Sequence, residues 1–148
     1  MENATFRILL ADDDESDRLL FVEAMEALEI KHLVHTVNNG MQLLEYLKEE
    51  NAILPHLIFL DLNMPRKNGL ECLQEIRSDE RFKDIFIAVY STSAADKDVE
   101  ETFRSGANIY IKKPNNFTLL KQLLRKAVNA SYLCKDFSFD RANFLLCI

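Results

Sequence analysis

Five short apolar runs, each followed by a longer amphipathic segment, restrict what this chain can fold into more than any other feature. The runs are Phe6–Ala11 (FRILLA) and residues 31–36, 57–62, 85–90 and 109–113. Helical spacing of apolar residues follows each one: Leu20, Ala24 and Leu28 within 16–28; Leu43, Leu44 and Leu47 within 41–48; Leu70, Leu73 and Ile76 within 69–78; Val99 and Phe103 within Asp96–Arg104; Leu120, Leu124 and Val128 within 118–130. Most of the runs are apolar throughout rather than alternating, so both faces of each strand are expected to be buried. A parallel sheet with helices on both faces meets that demand, and right-handed crossovers make it doubly wound. In such a sheet the ligand site lies at the carboxyl ends of the strands, near the point where the winding reverses.

Composition removes several classes of function. With 148 residues, 48% hydrophobic and 28% charged, the chain has the mass of one globular domain. No apolar stretch approaches the roughly 20 residues of a membrane helix, and no signal peptide is visible, so no membrane role and a cytoplasmic location are expected. The net charge of -6 argues against direct nucleic-acid binding. Three widely spaced cysteines, Cys72, Cys134 and Cys147, contain no C-x-x-C pair and suit a reducing compartment.

Chemistry-bearing residues gather where that fold would place a site. The first strand runs into Asp12, Asp13, Asp14 and Glu15, with Asp17 beyond, five acids in six positions. Helix capping accounts for one or two of them. Neighbouring like charges about 4 Å apart repel by roughly 4 kcal/mol at an effective dielectric of 20, so a divalent cation held through oxygen is expected. The third strand carries Asp61 before Leu62, Asn63, Met64 and Pro65, and a carboxylate inside an apolar strand is costly unless paired or functional. In one common doubly wound order, strands one and three flank the reversal, so Asp61 faces Asp12 and Asp13, where it suits a nucleophile toward a phosphoryl group. Ser91, Thr92 and Ser93 follow the fourth strand as helix-cap or phosphoryl-binding hydroxyls. Lys113 ends the fifth strand, held extended by Pro114.

The segments ILLADDD, LIFLDLNMPRKNG, AVYSTSA and YIKKP together resemble the receiver domain of two-component response regulators, over roughly residues 5–130. Ser91 follows Asp61 by 30 positions and Lys113 follows it by 52, close to the family's spacing. The resemblance implies a five-stranded (βα)5 sheet in the flavodoxin-like order 2-1-3-4-5. It implies Asp61 as phosphoacceptor, with Mg2+ (or Mn2+ as a substitute) held by Asp12, Asp13, Asp61 and the Asn63 carbonyl. Ser91, with Thr92 beside it, and Lys113 then attend the phosphoryl group, and Tyr110 is the aromatic that turns inward when the hydroxyl moves. Pro65 and Gly69 match the turn after the acceptor, and Lys113–Pro114 matches a junction that is often cis.

As implied function, a sensor histidine kinase or phosphotransfer protein donates the phosphoryl group. The chain is then a regulator that catalyses only its own phosphorylation and dephosphorylation. Two other readings stay open: a receiver fold used only for its surface, and a phosphohydrolase of the haloacid dehalogenase type, which wants an acid where Asn63 stands. Residues 1–130 are expected to form the receiver. Residues 131–148 (SYLCKDFSFDRANFLLCI) would be an apolar extension of the last helix, with no separate output domain. Output then passes to an unknown downstream protein or by onward phosphotransfer. The tail is expected to fold back on its own domain or to make a contact, with a homodimer through it, or through the face of helix 4, strand 5 and helix 5, as the alternative.

Overall fold

The computed structural model describes residues 5–133 and 141–146. Its elements follow the order β1 (Phe6–Ala11), α1 (Glu15–Ala27), β2 (His32–Val37), α2 (Gly40–Lys48), β3 (Leu57–Leu60), α3 (Gly69–Arg77), β4 (Phe86–Ser91), α4 (Asp96–Arg104), β5 (Ile109–Lys112), α5 (Phe117–Leu133), α6 (Arg141–Phe144) and β6 (Leu145–Leu146). A 3-10 turn, Glu80–Phe82, leads into β4. All strand pairs are parallel, and the sheet runs β2-β1-β3-β4-β5-β6.

The expected five strands stand in the expected order, and the fold needs one addition. The tail supplies a sixth strand, pairing Leu145 with Tyr110 and Leu146 with Ile111. A two-residue strand has no run long enough to show a period, so the sequence disclosed an apolar tail and not the strand within it.

The wholly apolar strands feed two cores at once, because successive side chains leave opposite faces of a sheet. Leu9, Ile58, Leu60, Ile87, Val89 and Tyr110 pack with α2, α3 and α4 on one face. Ile8, Leu10, Leu57, Phe59, Ala88 and Ile111 pack with α1 and α5 on the other. On that second face Phe21 meets Phe59 edge-on, with ring centroids 4.8 Å apart. β2 borders the sheet and alternates in burial, leaving Leu33 exposed. Asn68 and Glu71 form the anticipated capping box at the start of α3.

The described residues contain no cis peptide bond, so Lys113–Pro114 is trans, unlike the isomer frequent in the family it resembles. Cys72 is buried and unbridged, and burial pushes its thiol up to about 11. Cys134 and Cys147 lie outside the described residues. No helix among the described residues is long and apolar enough to cross a membrane.

Candidate functional site

The carboxylates at the top of the sheet ride on continuations of its ladders. Asp12 N–H donates to Val37 O at 3.1 Å, one step past β1, and Asp61 N–H donates to Ala11 O at 3.0 Å, one step past β3. Adjacent strand ends therefore deliver the two acids side by side. Both are buried, Asp12 completely and Asp61 to 5% exposure. Gly69 locks the second: a Cβ there would stand 2.2 Å from Asp61 O, so only glycine lets α3 start so close to the acceptor backbone. The Gly69 N–H donates to Leu62 O at 2.9 Å. Pro65 is exposed in the turn between them, and its carbonyl accepts from Lys67 N–H.

From the far side of β4, Lys113 reaches into this pair. Its main-chain N–H donates to Ser91 O at 2.7 Å, which places the side chain above the strand ends. The ammonium Nζ lies 2.8 Å from Asp12 Oδ2, 2.9 Å from Asp17 Oδ2 and 3.1 Å from Asp61 Oδ2. It also stands 5.2 Å from the ring centre of the buried Tyr90. Burial alone would lower the lysine's pKa. The contacts with Asp12 and Asp17 and the charge of Asp61 outweigh it, and the net shift is upward.

Asp12 shows the opposite balance. Burial is the largest influence and raises its carboxyl to about 6, against the lowering effect of Lys113 and of the Asp14 N–H, which donates to Oδ1 at 3.0 Å. Its Oδ2 touches the ammonium as an ion pair but lies off the line of any hydrogen bond, leaving a fully buried oxygen with no directed donor. Such atoms are rare and call for an explanation, and a bound cation would supply one. Asp12, exposed Asp13 and Asp61 can each bring an oxygen within 4.8 Å of the others. Three carboxylates, one with an orphaned oxygen, fit a hard divalent cation of the Mg2+ or Mn2+ type.

Among the anticipated residues, Asp12, Asp13, Asp61 and Lys113 come together. Asn63 is exposed at the rim, where its N–H donates to Asp61 Oδ1 at 3.2 Å. Ser91 is fully buried at the end of β4, its Oγ accepting from Ser93 N–H at 3.2 Å. Thr92 is exposed. Tyr110 is buried on β5, and its hydroxyl donates to Ser93 O at 2.6 Å.

Two residues named from the sequence do more in the site than that reading gave them. Asp17 is the third acid on the lysine, although a first-turn acid normally suggests only an interaction with the helix dipole. Its place in the run of acids that follows β1 was the available signal. Asp14, by contrast, is the N-cap of α1, accepting from Asp17 N–H at 3.0 Å. Ser93 is the second, joining the site to α4 through its hydroxyl, which donates to Asp98 Oδ2 at 3.1 Å.

Comparison with known proteins agrees with this geometry. Residues 8–125 match the family described as the response regulator receiver domain. The response regulator Rcp1 of Synechocystis sp. is 34% identical over 122 residues, covering 80% of this chain and 81% of Rcp1. FilR2 of Methanothrix harundinacea, a probable methanogenesis regulatory protein, is 31% identical over 124 residues, covering 82% of this chain and 80% of its own. The crystal structure of phosphorylated RcpA, a cyanobacterial phytochrome response regulator, superposes with a TM-score of 0.80 at 36% identity, covering 93% of this chain and all of the other. The Mn(2+)-bound form of Rcp1 gives 0.77 at 29% identity, covering 91% and 99%.

Proposed function

The chain belongs to the response regulator receiver domain family, and from that premise we propose that it is a phosphorylation-activated switch with Asp61 as its phosphoacceptor. The observation that carries this reading is the Lys113 ammonium bridging Asp12 and Asp61 at adjoining strand ends, beside exposed Asp13. Receivers of two-component systems are signalling proteins that bind a divalent metal and interact with histidine kinases or phosphotransfer proteins. The finer assignments follow from this chain's own groups.

An Asp61 carboxylate oxygen attacks the phosphorus of a phosphohistidine on a kinase or phosphotransfer protein. The P–O bond forms as the P–N bond breaks, and the imidazole leaves with the electron pair. The product is an acylphosphate. Asp12, Asp13, Asp61 and the Asn63 carbonyl would hold Mg2+ or Mn2+, and the bound cation neutralises charge on the phosphoryl oxygens. Lys113 stays an ammonium because three carboxylates surround it, so it is poised to pair with a phosphoryl oxygen as Asp61 gives up its own charge. Catalysis is then positioning plus charge neutralisation.

The readout begins at Ser91, whose buried hydroxyl has a hydrogen to donate to a phosphoryl oxygen. The hydroxyl's movement and the burial of Tyr110 belong to one state of a two-state equilibrium, which phosphorylation biases. The changed surface around α4 and β5 acts on a downstream protein, or the phosphoryl group passes onward. Incubation with acetyl phosphate, followed by a phosphate-affinity gel, tests the acceptor. A divalent-dependent shift is expected in the native chain and none in Asp61→Asn; a shift that persists in the variant overturns the assignment.

A further inference from the structure

The C-terminal strand lies directly on the switch aromatic. Tyr110 pairs with Leu145 along the outer edge of β5. Phe144, 1% exposed, sits with its ring centre 5.2 Å from Phe103 of α4 and 6.2 Å from Tyr110, edge-on to both. All three rings, with Val99 and Leu145, belong to one apolar cluster. A two-residue ladder is too short to hold itself in place, so the docking of β6 depends on Phe144. Phe144 in turn depends on where the Tyr110 ring stands. With the tyrosine inward and its hydroxyl on Ser93 O, Phe144 has a wall to pack against. With the ring swung outward across the β5 edge, the two side chains claim the same space, and a close-packed interior does not accommodate both.

We propose that residues 141–146 are a built-in ligand of the β5 edge whose docking is coupled to the inward position of Tyr110. The proposal rests on the reading of Asp61 and Tyr110 given above. Phosphorylation that favours the inward ring favours the docked tail. Because coupling between two equilibria is reciprocal, the docked tail favours the phosphorylated state to the same degree. The tail also holds the edge that an incoming strand of a partner would pair with, so such a partner meets a different surface in the two states.

Hydrogen exchange on the full chain tests this, read in peptides covering 141–146 and 109–112, with and without acetyl phosphate and Mg2+. Intact mass in the same samples reports whether the chain carries a phosphoryl group. With the group in place, exchange in both peptides is expected to slow together by about fivefold or more, the lower end of ordinary site-to-site coupling. Phe144→Ala is expected to lower the phosphorylated fraction at fixed acetyl phosphate. Phosphorylated chain with unchanged exchange in the tail overturns the coupling and leaves the acceptor assignment standing. Chain that never gains the mass overturns the acceptor assignment instead. The coupling is then decided by Tyr110→Phe, which removes only the hydroxyl that anchors the ring: faster tail exchange supports it, and no change refutes it. Tail protection that rises with protein concentration refutes a docking within one chain in favour of exchange between copies.

Discussion

Two lysine–carboxylate clusters in this protein use the same chemical groups toward different ends. At the strand ends, one ammonium serves Asp12, Asp17 and Asp61, and the lysine and two of the acids are almost wholly enclosed. On the surface between α2 and α3, one carboxylate, Glu75, is shared by Lys48 and Lys67, with Lys48 exposed and the other two partly exposed. The surface group has cations in excess and water to screen them, so it asks for nothing further. The enclosed group has acids in excess and little water, and can balance its charge only by acquiring a cation or losing charge from an acid. A divalent cation held by Asp12, Asp13 and Asp61 would do the first, and a phosphoryl group on Asp61, which brings more negative charge than the carboxylate gives up, would deepen the need for it. Burial combined with charge imbalance, more than the presence of ion pairs, distinguishes a reactive site from a surface tether.

Removing the lysine from each cluster gives the largest contrast. Lys113→Ala leaves buried acids uncompensated, and the loss is expected to be about 3–5 kcal/mol in urea unfolding without metal, with part of it recovered on adding Mg2+. Lys48→Ala, which removes an exposed lysine from a partly exposed partner, is expected to cost less than about 1 kcal/mol. Equal costs would erase the distinction. Next in size, Asp13→Asn is expected to weaken Mg2+ binding by on the order of tenfold, since oxygen sites are tuned by ligand charge. It should barely move the stability of the metal-free chain, because Asp13 is exposed; calorimetric titration and thermal melts separate the two.

The smallest effect is the most diagnostic in sign. Burial raises the Asp12 carboxyl to about 6, whereas hydrogen bonds from Lys48 and Lys67 lower that of Glu75. For Asp12 the folded pKa exceeds the unfolded value of 3.8, so its ionisation costs the metal-free fold stability as pH rises from about 4 to 6. For Glu75 the stabilisation is present above its unfolded value of 4.5 and lost as pH falls through the lowered folded value. Carboxyl NMR titration of the metal-free chain should find the two displaced in opposite directions. Displacement the same way would mean that enclosure does not govern Asp12.

How much of this the sequence disclosed follows from how local each signal is. Strands buried on both faces must be apolar at every position, so β1, β3 and β4 were legible, and Asp61 stood out because a carboxylate interrupts such a run. Lys113 was legible through the proline behind it. Asp17 stood out only as one of five clustered acids, because an acid in a first helical turn has a sufficient local explanation and its real partner lies 96 positions away. β6 was hidden for a related reason: its position is set by Phe144 packing on Phe103 and Tyr110, contacts that no local pattern encodes. The Lys113–Pro114 isomer was equally unreadable, since the two forms of such a bond differ by only about 0.5–1 kcal/mol and the surrounding fold decides.

The central claim is that Asp61, set in this acid-rich enclosure, takes the phosphoryl group. Reductive trapping with borohydride after acetyl phosphate treatment converts an aspartyl phosphate to homoserine, and peptide mass mapping then reads its position. Homoserine at position 61, formed only with a divalent cation present, is the predicted result. Homoserine at Asp12 or Asp13 with Asp61 untouched would contradict the account.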